Sequence, residues 1–133
     1  MIFSDGGARG NPGPAAFAFI LQSEKGEVVN SNRGYAGDCT NNQAEYLGLI
    51  AALEISASLK AEVITCHLDS ELVVKQLTGE YRVKNKELRL LWQKVREITR
   101  QFKETQFVNV PRTHPVIRET DKLVNLTLDA KSK

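Results

Sequence analysis

The chain reads as an α/β protein built on a five-stranded mixed sheet, three antiparallel strands followed by two parallel ones, flanked by helices. Three observations predict this. Three strand-like runs at the start are joined by links too short for a crossover, so they run antiparallel. From residue 40 onwards helical and strand patterns alternate, as βα crossovers require. The 133 residues, 41% hydrophobic and 26% charged, contain no repeat, low-complexity segment or linker, so residues 1–133 read as one domain with its own core.

The elements follow in order. Residues 1–8 form a strand ending in the Gly-rich turn Asp5-Gly6-Gly7, and Pro12-Gly13-Pro14 punctuates the chain after it. Residues 15–22 alternate, with Phe17 and Phe19 on one face and Ala16, Ala18 and Ile20 on the other. Glu24-Lys25-Gly26-Glu27 turns the chain into a third strand from about Val28 to Ala36. Thr40 caps a helix whose first turn holds Asn41, Asn42 and Gln43 and whose apolar seam is Ala44, Leu47, Ala51 and Ile55. Glu62 to Leu68 is a buried strand, and a helix follows Asp69-Ser70. Residues 85–102 carry the clearest helical period, Leu88, Leu91, Trp92, Val95, Ile98 and Phe102. Gln106 to Val110 is a short strand, Pro111 to Arg118 a loop, Glu119 to Ala130 a closing helix, and Lys131-Ser132-Lys133 a tail.

Composition narrows the function classes. No stretch approaches the roughly 18 apolar residues of a membrane span. Met1 runs straight into an apolar strand with no room for a signal peptide, so the expected compartment is the cytoplasm. Cys39, in a polar loop, and Cys66, a buried thiol, match neither a disulfide framework nor a metal-ligand spacing, and a reducing compartment argues against a bond between them. Net charge is only +2, but residues 82–103 hold eight basic residues (Arg82, Lys84, Lys86, Arg89, Lys94, Arg96, Arg100, Lys103) against Glu87 and Glu97. This is either a solvated helix face or a surface that tracks phosphates.

Four carboxylates stand at chemically suggestive places. Asp5 lies near the end of the first strand and Asp69 at the end of the fourth, so as neighbours they emerge side by side at one sheet edge. Glu45 and Asp121 are each placed in the first turn of a helix, able to lean towards that edge. Taken singly, Asp69 and Asp121 read equally as acids at helix N-termini, Asp5 as a turn former and Glu45 as an exposed residue. Crowded together, such acids are costly unless cations neutralise them, and Mg²⁺, which favours oxygen ligands, is the natural candidate.

Asp5-Gly6-Gly7 with Asn11-Pro12-Gly13-Pro14, Thr40-Asn41-Asn42-Gln43-Ala44-Glu45, Asp69-Ser70, Val83-Lys84-Asn85 with Leu88, and Asp121-Lys122-Leu123 resemble, in the right order, the motifs of ribonuclease H, type 1 class. The resemblance spans almost the whole chain. It implies the RNase H-like fold and a metal-dependent endonuclease that hydrolyses the RNA strand of RNA–DNA hybrids to 5′-phosphate and 3′-hydroxyl products with little sequence preference. It assigns Asp5, Glu45, Asp69 and Asp121 to two Mg²⁺ or Mn²⁺ ions. Asp5 would bridge both, Glu45 and Asp69 would complete the ion at the leaving group, and Asp121 the ion that activates water. It also implies contacts from Gly6, Gly7, Ala8 and Asn11 to RNA 2′-hydroxyls, which tell RNA from DNA, and minor-groove contacts from Asn41, Asn42 and Gln43. Thr40 and Asn85 match a pocket for a DNA-strand phosphate, which Lys84, Lys86 and Arg89 could extend. The expected partner is an RNA–DNA hybrid, with double-stranded RNA left open, no membrane, and a monomeric protein.

The chain departs from the family at three points. Glu71 stands where an amide is common, either near the metals or facing solvent. Ile117 occupies a position where many relatives have Asn, in a loop whose His114 is the candidate for proton transfer or product release, or a histidine without a role. His67 reads as a surface or core residue. The basic insertion that some members use as a handle on the hybrid has no counterpart between Gly79 and Asn85, so affinity should be modest and salt-sensitive unless the 82–103 face compensates. The rival readings are a non-catalytic hybrid- or duplex-binding domain of the same fold, another nuclease of the superfamily, and a small α/β regulatory domain whose acids are helix caps.

Overall fold

In the computed structural model, which describes residues 1–132, the chain runs β1 (Ile2–Ala8), β2 (Gly13–Gln22), β3 (Val28–Cys39), α1 (Asn41–Ser58), β4 (Val63–Leu68), α2 (Glu71–Leu77), α3 (Lys86–Thr99), β5 (Glu104–Asn109) and α4 (Pro115–Lys131). The strands form one sheet in the order β3-β2-β1-β4-β5. β1, β2 and β3 are antiparallel neighbours, while β4 and β5 run parallel to β1, as expected.

The pairing of β1 decides where the site forms. Against β2 its register runs unbroken from Ile2–Leu21 to Ala8–Ala15, whereas against β4 it holds only Ile2–Cys66 and Phe3–His67. The two central parallel strands therefore part just before Asp5 and Asp69. Ligand crevices form at such carboxyl ends, where the connections on either side diverge.

The helices split between the two faces. α1 lies on β1 and β2 and beneath α3, and this side holds the larger core, including Ile2, Phe19, Leu21, Tyr46, Leu49, Leu53, Cys66, Val73 and Val95. On the other face Ala16 and Ala18 of β2 meet Val124 and Leu128 of α4. The alternation in β2 thus sends Phe19 to one core and its alanines to the other, and the small alanine side chains let α4 sit close to the sheet. Each helix is capped by a side chain: Thr40, Ser70, Asn85 and His114 accept from Gln43, Val73, Leu88 and Val116 N–H groups. Caps of this kind are worth about 1 kcal/mol each.

Several boundaries differ from the sequence reading. β3 continues to Cys39, which therefore ends a strand rather than lying in a loop; both cysteines are free. α3 stops at Thr99, β5 begins at Glu104, and β2 begins at Gly13. α4 begins at Pro115, four residues earlier than the sequence suggests, because proline suits the first helical position and His114 supplies the cap. Asp121 consequently lies in the second turn of α4. Glu45 likewise opens the second turn of α1. Of the expected α1 seam only Ala44 is fully buried, while Leu47, Ala51 and Ile55 are half-buried. The buried set centres on Tyr46, Leu49, Ala52 and Leu53, since a helix held between a sheet and a second helix is covered on more than one stripe.

α1 crosses β1 at backbone distance. A Cβ at Gly6 would overlap the Ala44 carbonyl, and one at Gly48 would lie 2.9 Å from the Asp5 carbonyl oxygen. Gly6→Ala should push α1 off the strand and cost about 2–4 kcal/mol, measured as a lower denaturation midpoint with an unchanged slope.

Candidate active site

Three elements deliver the central carboxylates. Asp5 comes from β1 as it parts from β4, Asp69 from the residue after β4, and Glu45 from α1 where Gly6 lets the helix descend on the strand. One oxygen from each lies within 4.8 Å of the others. Asp5 and Glu45 are each only 6% exposed, and the Glu45 Oε2 atom is buried without a hydrogen-bond partner. The Gly6 N–H donates to Asp5 Oδ1 at 2.9 Å. Asp121 stands outside this triad, exposed on α4, with the Asn125 amide donating to its Oδ2 at 3.5 Å. It lines the same groove of about 400 Å³.

The groove also gathers Gly6, Gly7, Asn41 and Asn42. Asn41 is held on both sides: its Oδ1 accepts from the Ala8 N–H at 2.8 Å and its own N–H donates to Asn11 Oδ1 at 3.0 Å. Gln43 completes a capping box with Thr40 and donates to Glu87 Oε2 at 2.7 Å. Asn42, by contrast, makes no side-chain hydrogen bond among the described residues and faces the groove. Asn11, Thr40 and Asn85 lie outside the groove lining. Thr40 and Asn85 cap the two helices that the Gln43–Glu87 contact joins, so these N-termini are neighbours.

The two histidines and Glu71 are placed elsewhere. His67 stacks on Phe3 at 4.3 Å and donates through Nδ1 to the Ile2 carbonyl, and burial lowers its pKa. His114 accepts the Val116 N–H at Nδ1 and lies with its ring 5.2 Å from the Phe3 ring. Glu71 pairs with Lys75 at 2.7 Å. The residue of the β5–α4 loop that lines the groove is Arg112, whose Nε lies 3.7 Å from Asp69 Oδ2. The sequence reading passed over it; its one signal was a lone cation beside Pro111 in a loop leading to an expected site acid. Arg9, also on the groove lining and paired with Asp129 at 2.6 Å, was missed as well.

Crowding shows in the protonation equilibria. Burial, with Asp69 and Asp121 adding to it, raises Asp5 from 3.8 to about 6, and burial together with Asp5 raises Glu45 well above its ordinary value. Among the described residues, the exposed Arg112 is the cation paired with a member of the cluster, at Asp69. The donor set is all oxygen, one oxygen is unpartnered, and Asp5 and Glu45 resist ionising together: these residues fit a hard divalent cation.

Solved structures share this fold. RNase H1 from the archaeon Halobacterium salinarum superposes with a TM-score of 0.92 at 40% identity, over 97% of this chain and 96% of that one. LC11-RNase H1, solved in complex with an RNA/DNA hybrid, superposes with a TM-score of 0.90 at 37% identity, over 99% and 98%. The fold is therefore the RNase H-like fold. In sequence, residues 3–126 match the family described as reverse transcriptase-like. A bifunctional protein of Mycobacterium tuberculosis is 36% identical over the whole of this chain, which spans 36% of that protein's length, and the chain spans 63% of the Halobacterium ribonuclease HI. The chain belongs to the type 1 ribonuclease H family.

A pH dependence follows from the buried acids. Folded Asp5 keeps its proton to about pH 6 while the unfolded chain releases it near 3.8, so on raising the pH the unfolded state ionises first and stability falls until the folded pKa is passed. Asp5→Asn removes that loss. In chelator, the variant should gain about 1–2 kcal/mol on wild type between pH 5 and pH 7.5, read from urea denaturation at each pH.

Proposed function

We propose that this chain is a metal-dependent endonuclease that hydrolyses the RNA strand of RNA–DNA hybrids, leaving 5′-phosphate and 3′-hydroxyl ends with little sequence preference. The observation that carries this reading is the convergence of Asp5, Glu45 and Asp69, from three separate segments, around an unpartnered buried oxygen at the parted ends of β1 and β4. The hybrid is the substrate bound by LC11-RNase H1, with which this chain shares its fold and 37% of its residues.

Asp5, Glu45 and Asp69 would hold Mg²⁺ or Mn²⁺, and Asp121, on the flank of the same groove, would contribute to a second ion. Bound there, such ions supply Lewis-acid activation and charge neutralisation at neutral pH. The chain's own residues do the rest. The backbone at Gly6 and Gly7, unshielded by side chains, lines the groove where ribose hydroxyls would be read, and Asn42 offers its free amide beside them. Asn41, locked by Ala8 and Asn11, keeps that wall in place. Arg112 offers a cation to the phosphate from the loop side, while His114 holds the start of α4. Thr40 and Asn85, at adjoining helix N-termini, would take a phosphate of the DNA strand, where backbone N–H groups and the helix dipole favour an anion. These contacts read sugar and backbone rather than base edges, hence the low sequence preference. Residues 1–133 act as one cytoplasmic, monomeric domain in this reading.

A uniform RNA–DNA hybrid incubated with Mg²⁺ or Mn²⁺ should be cut in its RNA strand only, with matching DNA duplex left intact. Asp5→Asn and Asp69→Asn should each lower the rate by at least about 10²-fold while hybrid affinity in chelator changes little. Binding without cutting under either ion would leave a hybrid-binding module.

A further inference from the structure

The short connection from α2 to α3 builds a second groove outside the carboxylate site. It has a volume of about 430 Å³, and its walls include Tyr81, Arg82, Val83, Lys84, Arg89 and Trp92. The aromatics are held from below. The Trp92 indole N–H donates to the Gln76 carbonyl at 3.1 Å, and Arg96 lies over its ring at 5.1 Å. Lys75, fixed by Glu71, sits 5.1 Å from the Tyr81 ring centre and donates to its hydroxyl at 3.4 Å. Tyr81 itself remains 45% exposed.

The chemistry of these walls distinguishes two kinds of polyanion. A duplex shows a protein phosphates and sugars, and its bases are stacked away, so cations alone would serve it. An unpaired strand also presents the apolar faces of its bases, and sites for such strands interleave cations with aromatic platforms. Here three cations alternate with Tyr81, Val83 and Trp92 around a recess. Its position points the same way: Arg89 lies one helical turn beyond Asn85, which adjoins Thr40 through the Gln43–Glu87 contact. A DNA strand held at those two helix N-termini would meet Arg89 about one helical turn further along α3, and a flexible single strand follows such a path more readily than a stiff duplex.

We propose that this groove binds the unpaired extension of the DNA strand where it leaves the hybrid, so that the protein favours hybrids bordered by single-stranded DNA. This rests on the hybrid reading above. Fluorescence anisotropy in chelator would compare a blunt hybrid, the same hybrid with about six unpaired deoxynucleotides at the 3′ or the 5′ end of its DNA strand, and the unpaired strand alone. One of the two extensions should tighten binding about fivefold or more. Tyr81→Ala should erase that gain and leave the blunt hybrid's Kd unchanged, with Tyr81→Phe retaining it. Equal affinity for blunt and both extended hybrids overturns the proposal. So does an equal loss for all hybrids in Tyr81→Ala, which would make the groove a duplex contact. Should the hybrid itself not bind while the single strand binds in a Tyr81-dependent way, the hybrid reading fails and the groove stands.

Discussion

The crossing of α1 over β1 is the constraint on which the rest of this structure depends. Where Gly6 meets Ala44 and Gly48 meets the Asp5 carbonyl, backbone lies against backbone. Only that approach lets the second turn of a helix place Glu45 beside an acid at a strand end. The arrangement opposes stability, because Asp5 and Glu45 are taken out of water beside one another, and burial makes both harder to ionise. The surrounding scaffold offsets this with a core on either side of the sheet, side-chain caps on all four helices and an unbroken β1–β2 ladder. An acidic cleft that is expensive to keep is held by elements that are not, as the proposed cation site would require.

Charge is segregated over the surface in a way that complements the cleft. The segment from Arg82 to Lys103 is strongly basic while the whole chain carries only +2, so the remainder is net acidic. In the proposed reading, the acidic groove would repel a phosphate backbone until cations fill it, and the neighbouring basic face would attract that backbone. The Gln43–Glu87 contact ties the two together by joining the first turn of α1, which flanks the groove, to the first turn of the basic helix.

Much of the candidate site is legible in the sequence. Asp5 and Asp69 stood at the ends of strand-like runs, and the parallel neighbours β1 and β4 bring those ends together. Glu45 was recognisable from the amide-rich helix start around it. Less legible was anything set by packing on both sides of an element. The α1 seam was misplaced because burial between sheet and α3 obeys no single stripe, and the start of α4 was misplaced because prolines that punctuate a loop also suit a helix start. Arg112 escaped notice while His114 drew it, since residue type suggested a proton carrier and only the folded loop reveals that the histidine faces Phe3 and the arginine the groove.

The amino-acid sequence by itself determined the order and kind of elements, the antiparallel opening and parallel close of the sheet, the family resemblance and which carboxylates to watch. These are local matters of periodicity, turn chemistry and short motifs. Tertiary structure alone decided that the β1–β4 ladder stops after Phe3–His67, that Glu45 keeps an unpartnered oxygen, that Asp121 stands apart from the other three, and that the α2–α3 connection leaves an aromatic and basic recess. Each depends on distances between segments far apart in the chain. Such distances follow from how whole faces pack, and no window of neighbouring residues contains them.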